Sequence, residues 1–212
     1  MRSAARYYSY MDRDRQRWED RHRSDDPLPA PSPFVVRALD LLAPEPGASP
    51  PPRALDVACG RGRHALLLAA RGYAVDAVDY ALPALVTLTR TAAARHLNVR
   101  CLAADVTMWP LPSRYALVVV VNFLARDLFA ALRAAVAPGG VLLYETHRRD
   151  AHAAPAMRPE FLLAPGELDE LCYGWDVLLR HEDTSVHEGK RVARTGILAR
   201  RPLASASGPA PH

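Results

Sequence analysis

The sequence predicts an α/β protein whose core is a mostly parallel, doubly wound sheet with helices on both faces. Residues 53–80 read as strand, glycine-rich turn, helix and strand. Apolar runs and helical patterns then alternate along the chain, which is the order typical of parallel sheets. One run, residues 115–121, ends in four consecutive valines and suits a central strand buried on both faces.

The composition favours one sizeable globular domain. The chain has 212 residues, of which 50% are hydrophobic, enough for one substantial core. Prolines cluster around residues 26–33 and 43–52, and small residues dominate the end of the sequence. We therefore expect a helical cap with a proline-rich linker over residues 1–52, the main domain over residues 53–201, and a disordered tail over residues 202–212.

Periodicity and punctuation give the expected elements in chain order. Helices are predicted over residues 10–22, 34–42, 63–71, 82–95 and 165–171, with another that carries Leu124, Leu128, Leu132 and Val136. Strands are predicted over residues 54–58, 74–78, 99–103, 115–121 and 141–146, followed by a hairpin of residues 175–186 and 191–201.

The glycine-rich turn has the features of a nucleotide cradle. Gly60, Gly62 and Ala65 satisfy the pattern G-x-G-x-x-G/A, in which glycines admit a close ligand and the helix start offers free N–H groups. Asp79 follows Gly60 by the interval at which an acid commonly accepts bonds from ribose hydroxyls. This pattern also describes nicotinamide and flavin sites, so it does not choose the cofactor.

Asp56 narrows the choice of ligand. It lies near the end of the first predicted strand, just before the loop. A carboxylate there repels a dinucleotide pyrophosphate and suits a ligand with an ammonium group. S-adenosylmethionine carries a ribose, an ammonium and a carboxylate but no phosphate, and is therefore favoured.

These residues also carry a family resemblance. Residues 55–66, LDVACGRGRHAL, resemble motif I of the class I S-adenosylmethionine-dependent methyltransferases, although many relatives have Gly-Cys or Gly-Ser where this chain has Ala58-Cys59. Residues 104–106 resemble the segment that contacts adenine, and residues 137–140 the turn into strand five. The stretch from Pro165 to Arg200 resembles the tellurite-resistance (TehB-like) and thiopurine-methyltransferase-like branch.

The resemblance implies a Rossmann-like, seven-stranded sheet with an antiparallel C-terminal hairpin strand. It also implies S-adenosylmethionine as cofactor, S-adenosylhomocysteine as product, and a cofactor site made of Trp18, Asp56, Ala58, Gly60, Gly62, Asp79, Tyr80, Asp105, Val106 and Asn122. Two of these assignments have an alternative. Trp18 would equally pack its helix onto the main domain, and Asp105 would equally serve as a turn aspartate.

The substrate side is less defined, and no general base is assigned. Weak candidates are His147, Arg149, His187 and Arg194. The basic segment of residues 148–160 would receive an anionic acceptor or would be ordinary solvated surface. Residues 63 and 64, an arginine and a histidine, stand in a first helical turn where the dipole disfavours cations, so they would point at the pocket or into solvent.

The function expected is methyl transfer from S-adenosylmethionine to a small-molecule acceptor of unknown identity. The alternatives are a nicotinamide-dependent oxidoreductase and a non-catalytic S-adenosylmethionine-binding protein. Nucleic-acid methylation is disfavoured, since Asn122-Phe123-Leu124-Ala125 lacks the prolines of amino-group methylases of nucleic acids.

The remaining expectations concern surroundings and partners. The net charge is +4 with a pI near 9.2, but the N-terminal arginines alternate with acids, as on a solvated helix face. No apolar run approaches the roughly 20 residues that span a bilayer. Three widely spaced cysteines argue for a reducing compartment and against a zinc site. We expect a cytoplasmic monomer or homodimer without a metal.

Overall fold

The structure is a computed structural model that describes residues 26–42, 49–112, 114–149, 158–187 and 190–203, though not the side chains of residues 186–191. The helix expected over residues 10–22, with Trp18, lies outside the described residues, and so does the expected tail from residue 204 onward. The chain divides into two compact units, residues 1–110 and residues 111–212. In the described part of both units, no helix combines the length and apolar character needed to cross a membrane.

The first unit alternates helices and strands. Its elements are α1 (Pro33–Leu41), β1 (Arg53–Val57), α2 (Arg63–Ala70), β2 (Ala74–Asp79), α3 (Leu82–Ala94) and β3 (Val99–Ala103). The start of α1 follows the sequence signals, because Ser32 Oγ accepts the Phe34 N–H at 3.2 Å and Pro33 occupies the first turn.

The three strands of the first unit are parallel. β2 pairs with β1 on one side, with Val78 opposite Val57, and with β3 on the other, with Asp79 opposite Ala103. Apolar side chains from the strands and helices, such as Leu55 and Leu88, are fully buried. The carboxyl ends of the strands therefore meet at one edge, which is where ligands bind in open α/β sheets.

A buried carboxylate ties the other half of these strands together. Asp76 on β2 is 3% exposed, and its carboxylate is paired with Arg53 on β1 and with Arg100 on β3, whose Nε lies 2.8 Å from Oδ1. Charge pairing of this kind allows an acid to remain in a buried strand. The Asp76 pairing thus stabilises the strands at a distance from the glycine-rich turn.

The second unit contains four strands and short helices. Its elements are β4 (Tyr115–Val121), a 3₁₀ turn (Arg126–Leu128), α4 (Phe129–Ala135), β5 (Val136–His147), a second 3₁₀ turn (Pro159–Phe161), α5 (Glu167–Leu171), β6 (Asp176–His187) and β7 (Lys190–Arg200). β4 and β5 are parallel, whereas β7 is antiparallel to both β5 and β6.

The strand order confirms the predicted fold class. The first unit contributes β3-β2-β1 and the second contributes β4-β5-β7-β6, in a seven-stranded sheet of order β3-β2-β1-β4-β5-β7-β6. The parallel strands with interleaved helices and the antiparallel C-terminal hairpin are those of a Rossmann-like α/β fold.

The predicted helix that carries Leu124, Leu128, Leu132 and Val136 is shorter at both ends than expected, because Leu124 precedes the first 3₁₀ turn and α4 begins at Phe129. The helix expected to run through Val136 ends at Ala135, and β5 starts at Val136 rather than at Val141. Pro138 explains the early stop, because the residue before a proline is pushed out of the helical region. The β4–β5 register then shifts around Gly139, whose φ of +76° suits a glycine.

The segment after β5 is anchored by one arginine. Arg126 donates from Nε to Glu167 Oε1 at 2.6 Å and from Nη2 to Oε2 at 2.8 Å. It also donates to the carbonyl of Glu160 at 2.8 Å and to that of Leu162 at 3.0 Å. The hydrogen bond from Arg126 lowers the pKa of Glu167, so this bidentate pair holds residues 160–167 against the 3₁₀ turn.

Gly62→Ala should destabilise the protein more than Gly72→Ala. Both glycines have positive φ, +79° and +92°, so each substitution strains the backbone. A Cβ at Gly62 would also lie 2.3 Å from Leu88 Cδ1, whereas nothing lies within 4 Å at Gly72. We expect a loss in unfolding free energy of about 1 kcal/mol for Gly72→Ala and of at least about 2 kcal/mol for Gly62→Ala, by urea unfolding. Equal losses would show that Leu88 yields without cost.

Candidate functional site

The glycine-rich turn connects β1 to α2 in a left-handed conformation. Ala58, Gly60 and Gly62 have φ values of +53°, +53° and +79°. The Cys59 N–H donates to the carbonyl of Val78 at 3.0 Å, which joins the loop to β2. Ala58 is not a glycine, so its left-handed backbone stores about 1 kcal/mol of strain. The predicted tight turn of residues 58–62 is therefore present.

Asp79 holds this turn in place. Its Oδ2 accepts the Gly60 N–H at 2.7 Å, and its Oδ1 accepts the Ala81 N–H at 2.8 Å. The carboxylate is 8% exposed and sits at the end of β2. Each carboxylate oxygen has a second lone pair, so Asp79 can fix the loop and still accept a bond from a ligand hydroxyl. Tyr80, half-buried, follows it directly.

Asp56 is a buried carboxylate with an unsatisfied oxygen. It is 1% exposed, and Oδ2 has no hydrogen-bond partner among the described residues. Burial has the largest effect and raises the pKa of Asp56 to about 7. A hydrogen bond from the Ala65 backbone and the charge of Arg63 lower this pKa, whereas the charge of Asp79 raises it. A buried acceptor without a partner costs on the order of 1–3 kcal/mol. A ligand that donates to Oδ2, such as an ammonium, would remove that cost.

Asp105 serves as a turn residue after β3. Its Oδ1 accepts the Thr107 N–H at 2.9 Å and the Thr107 hydroxyl at 2.7 Å. The Asp105 carbonyl accepts the N–H groups of Met108 and Trp109, both at 3.0 Å. This is the turn role that the sequence left open as an alternative to binding adenine. Val106 is buried beside it, while Met108 is 80% exposed.

The glycine-rich turn and the start of α2 bind the chain that precedes α1. Arg61 Nη2 donates to the Asp26 carbonyl at 2.7 Å, and Arg63 Nη1 donates to the Ala30 carbonyl at 3.1 Å. His64 is buried, and its Nε2 accepts the Ser32 N–H at 3.2 Å. These three contacts were not predicted from the sequence. Their only signal was the presence of cationic residues in a first helical turn, where the helix dipole disfavours them. We call residues 26–32 the N-terminal strap.

In the second unit, Asn122 and two substrate-side candidates lie on or beside β5. Asn122 is exposed, has a φ of +58°, and donates its N–H to the Glu145 carbonyl at 2.9 Å. His147 and Arg194 are directly opposed on β5 and β7. Burial lowers the pKa of His147 to about 4, and the charge of Arg194 adds to the effect. His147 is therefore uncharged near neutral pH.

The other two substrate-side candidates are not joined to this pair by any contact that the structure describes. Arg149 is exposed, and its backbone N–H donates to the Leu163 carbonyl at 2.9 Å. His187 ends β6, and its side chain lies outside the described part of the chain. Among the described residues, no group of three or more His, Cys, Asp or Glu side chains could hold a metal ion.

Part of the chain matches a known protein family. Residues 54–140 match the model of a family described as a methyltransferase domain. This match covers β1 to the start of β5 and includes the glycine-rich turn, Asp56, Asp79 and Asp105.

Two curated proteins are related in sequence. Hemagglutinin 1 of Eikenella corrodens is 31% identical over 140 residues, which are 63% of this chain and 46% of that protein. Demethylmenaquinone methyltransferase of Thermus thermophilus is 36% identical over 115 residues, 50% of each chain. The chain thus spans about half the length of the curated relatives it matches.

The fold is also that of a solved structure. TehB from Haemophilus influenzae superposes with a TM-score of 0.72 at 22% identity, over 82% of this chain and 63% of that one. At this identity the likeness concerns the fold alone. This likeness of fold and the family match over residues 54–140 agree with the class I methyltransferase resemblance that the sequence predicted.

Asp56→Asn should change how stability depends on pH. The folded-state pKa of about 7 lies above the reference value of 3.8, so the folded protein retains a proton that the unfolded chain releases as pH rises. Asp56 therefore lowers the free energy of unfolding progressively between these pH values, by up to about 4 kcal/mol in total. The free energy of unfolding of the variant should therefore exceed that of the wild type by an amount that grows from pH 4 to pH 7 and stays constant above pH 7.

Urea unfolding at several pH values measures this gain. Asp40→Asn is a matched control, because Asp40 is an aspartate whose side chain is 58% exposed. A gain for Asp56→Asn that is constant with pH, or that matches the Asp40→Asn profile, would contradict the buried-carboxylate assignment.

Proposed function

We propose that the chain is an S-adenosylmethionine-dependent methyltransferase that acts on a small-molecule acceptor. The observation that carries the proposal is the pair of carboxylates beside the glycine-rich turn, Asp79 holding the turn and Asp56 keeping a buried oxygen without a partner among the described residues. The family match over residues 54–140 supports the same activity.

The residues of the first unit suit this cofactor. Asp79 would accept bonds from the ribose hydroxyls through its remaining lone pairs, and Asp56 would lie toward the ammonium group. Asp105 and the Val106 backbone would face the adenine, while the backbone of residues 58–60 would hold the methionine part. Trp18, Gly62, Tyr80 and Asn122 complete the proposed set.

The chemistry requires alignment more than proton transfer. When bound, S-adenosylmethionine supplies a methyl group already activated by a sulfonium centre. The residues of this chain then have to hold the acceptor in line with the methyl group and exclude water. A general base is needed only when the acceptor must lose a proton.

A nicotinamide cofactor suits the same turn less well. Asp56 is buried beside the loop, and its pKa is raised to about 7. Its ionised form repels the two phosphates of a dinucleotide, whereas an ammonium group stabilises that form. This argument separates the proposal from the oxidoreductase alternative. A protein that binds S-adenosylmethionine without turnover is separated from an enzyme only by assay.

We also propose the cytoplasm as the location and a monomer or homodimer as the assembly. Cys59, Cys101 and Cys172 are all free thiols, which suits a reducing compartment. Nucleic acid remains a disfavoured partner.

Calorimetric titration tests the methyl donor. We expect micromolar binding of S-adenosylmethionine and S-adenosylhomocysteine and no binding of NADH or NADPH. Production of S-adenosylhomocysteine with a panel of thiols, phenols, amines and oxyanions then tests turnover. Binding of a nicotinamide cofactor alone would overturn the proposal, and binding without turnover across the panel would favour the non-catalytic reading.

Asp79→Ala should lower S-adenosylhomocysteine affinity by about tenfold or more, because charge-assisted bonds to two hydroxyls are lost. The same substitution frees the N–H groups of Gly60 and Ala81, so a second ligand is needed. We expect the wild type to bind S-adenosylhomocysteine more tightly than its 2′,3′-dideoxy analogue and the variant to bind both alike, by calorimetry. Equal weakening of both ligands would mean that Asp79 acts only through the loop.

A further inference from the structure

A second buried carboxylate lies on the sheet of the second unit. Glu145 on β5 is 2% exposed, and its Oε2 has no hydrogen-bond partner among the described residues. Its Oε1 lies 3.6 Å from Arg194 Nη1 and 4.0 Å from His181 Nε2. Both distances exceed that of a hydrogen bond, so Arg194 offsets the charge of Glu145 without satisfying its oxygens.

The strand register explains how these groups share one face. Glu145, Gly196 on β7 and His181 on β6 form one row across the three strands. His147, Arg194 and Asp183 form the row two residues along. Directly opposed residues in antiparallel strands present their side chains to the same face. Because Gly196 has no side chain, the middle of the first row carries only backbone between Glu145 and His181.

The unpartnered oxygen is unlike an ordinary buried ion pair. Pairing of a buried charge succeeds when hydrogen bonds satisfy the remaining lone pairs. Oε2 of Glu145 lacks such a bond in the described part of the chain. A buried acceptor without a donor makes folding less favourable, and a binding site is one setting in which this cost is retained. There the ligand supplies the hydrogen-bond donor that the protein lacks.

We propose that Glu145 is the hydrogen-bond acceptor of a binding site for the methyl acceptor, and that this acceptor presents a neutral O–H, S–H or N–H donor. The inference rests on the proposed methyl transfer for its biological meaning, and on the second unit alone for its geometry. It assigns Glu145, with Gly196 and His181 in its row, to the recognition of the substrate.

The surrounding charges select a neutral donor. Arg194 and Glu145 nearly offset each other, and His147 is uncharged near neutral pH. A charged ligand would lose its hydration in a poorly solvated site, and the Glu145–Arg194 pair has too little net charge to offset that cost. A neutral donor avoids that cost and satisfies Oε2.

A matched set of small aromatic probes tests this choice. The protein loaded with S-adenosylhomocysteine is titrated with para-cyanophenol, para-cyanoanisole, para-cyanobenzoate and para-cyanobenzylammonium, below the pH at which the phenol ionises. Saturation-transfer NMR gives the dissociation constants. We expect the phenol to bind at least about fivefold more tightly than the anisole, which lacks only the donor hydrogen, and more tightly than either charged probe.

Three variants test whether Glu145 causes the preference for the phenol over the anisole. Glu145→Gln should reduce the advantage of the phenol over the anisole, because an amide oxygen is a weaker acceptor than a carboxylate. Glu182→Gln, at a side chain 71% exposed on β6, should leave this advantage unchanged. Gly196→Ala keeps the carboxylate and adds a methyl group to the row; it should weaken phenol binding and provides the test if Glu145→Gln does not fold.

Two results would overturn the inference. One is equal binding of phenol and anisole by the wild type, or tighter binding of a charged probe. The other is an undiminished preference for the phenol in a folded Glu145→Gln, or undiminished phenol binding by Gly196→Ala when the first variant does not fold. Failure of S-adenosylhomocysteine to bind would instead remove the proposed function, and the probe titrations on the unliganded protein would still decide the role of Glu145.

Discussion

The first unit depends on one carboxylate that accepts two backbone N–H groups. Asp79 ends β2, and its two oxygens fix Gly60 in the glycine-rich turn and Ala81 before α3. A left-handed turn that includes a non-glycine residue is strained and persists only when its surroundings hold it. Asp79 and the Cys59–Val78 backbone bond provide that support. Asp79, which is proposed to bind the ribose, therefore also fixes the conformation of the loop.

Each unit contains a buried acid with one carboxylate oxygen that has no hydrogen-bond partner among the described residues. Asp56 lies before the turn in the first unit, and Glu145 lies near the carboxyl end of β5 in the second. Burial without a donor is unfavourable for folding. By contrast, Asp76 is equally buried and is paired on both sides by arginines. The contrast separates carboxylates that stabilise strands from those available to a ligand.

Much of this arrangement was predictable from local sequence. Alternation of apolar runs, the two glycines and the acid after β2 predicted the sheet and the turn, because each depends on residues close in the chain. Both ends of the helix around α4 were wrong, since the i+4 spacing of Leu124 and Val136 continues beyond the helix itself. The Glu145–His181 relation was out of reach, because it depends on the register of strands far apart in sequence. Arg63 and His64 were noticed, yet their partners in the N-terminal strap could not be identified from spacing.

The N-terminal strap also joins two segments that are far apart in the chain. Its Asp26 carbonyl accepts a hydrogen bond from Arg61 of the glycine-rich turn, 35 residues later. The entropy lost when a chain loop of that size closes grows only slowly with the number of residues in the loop. A few residues inserted between α1 and β1 would therefore weaken this contact very little.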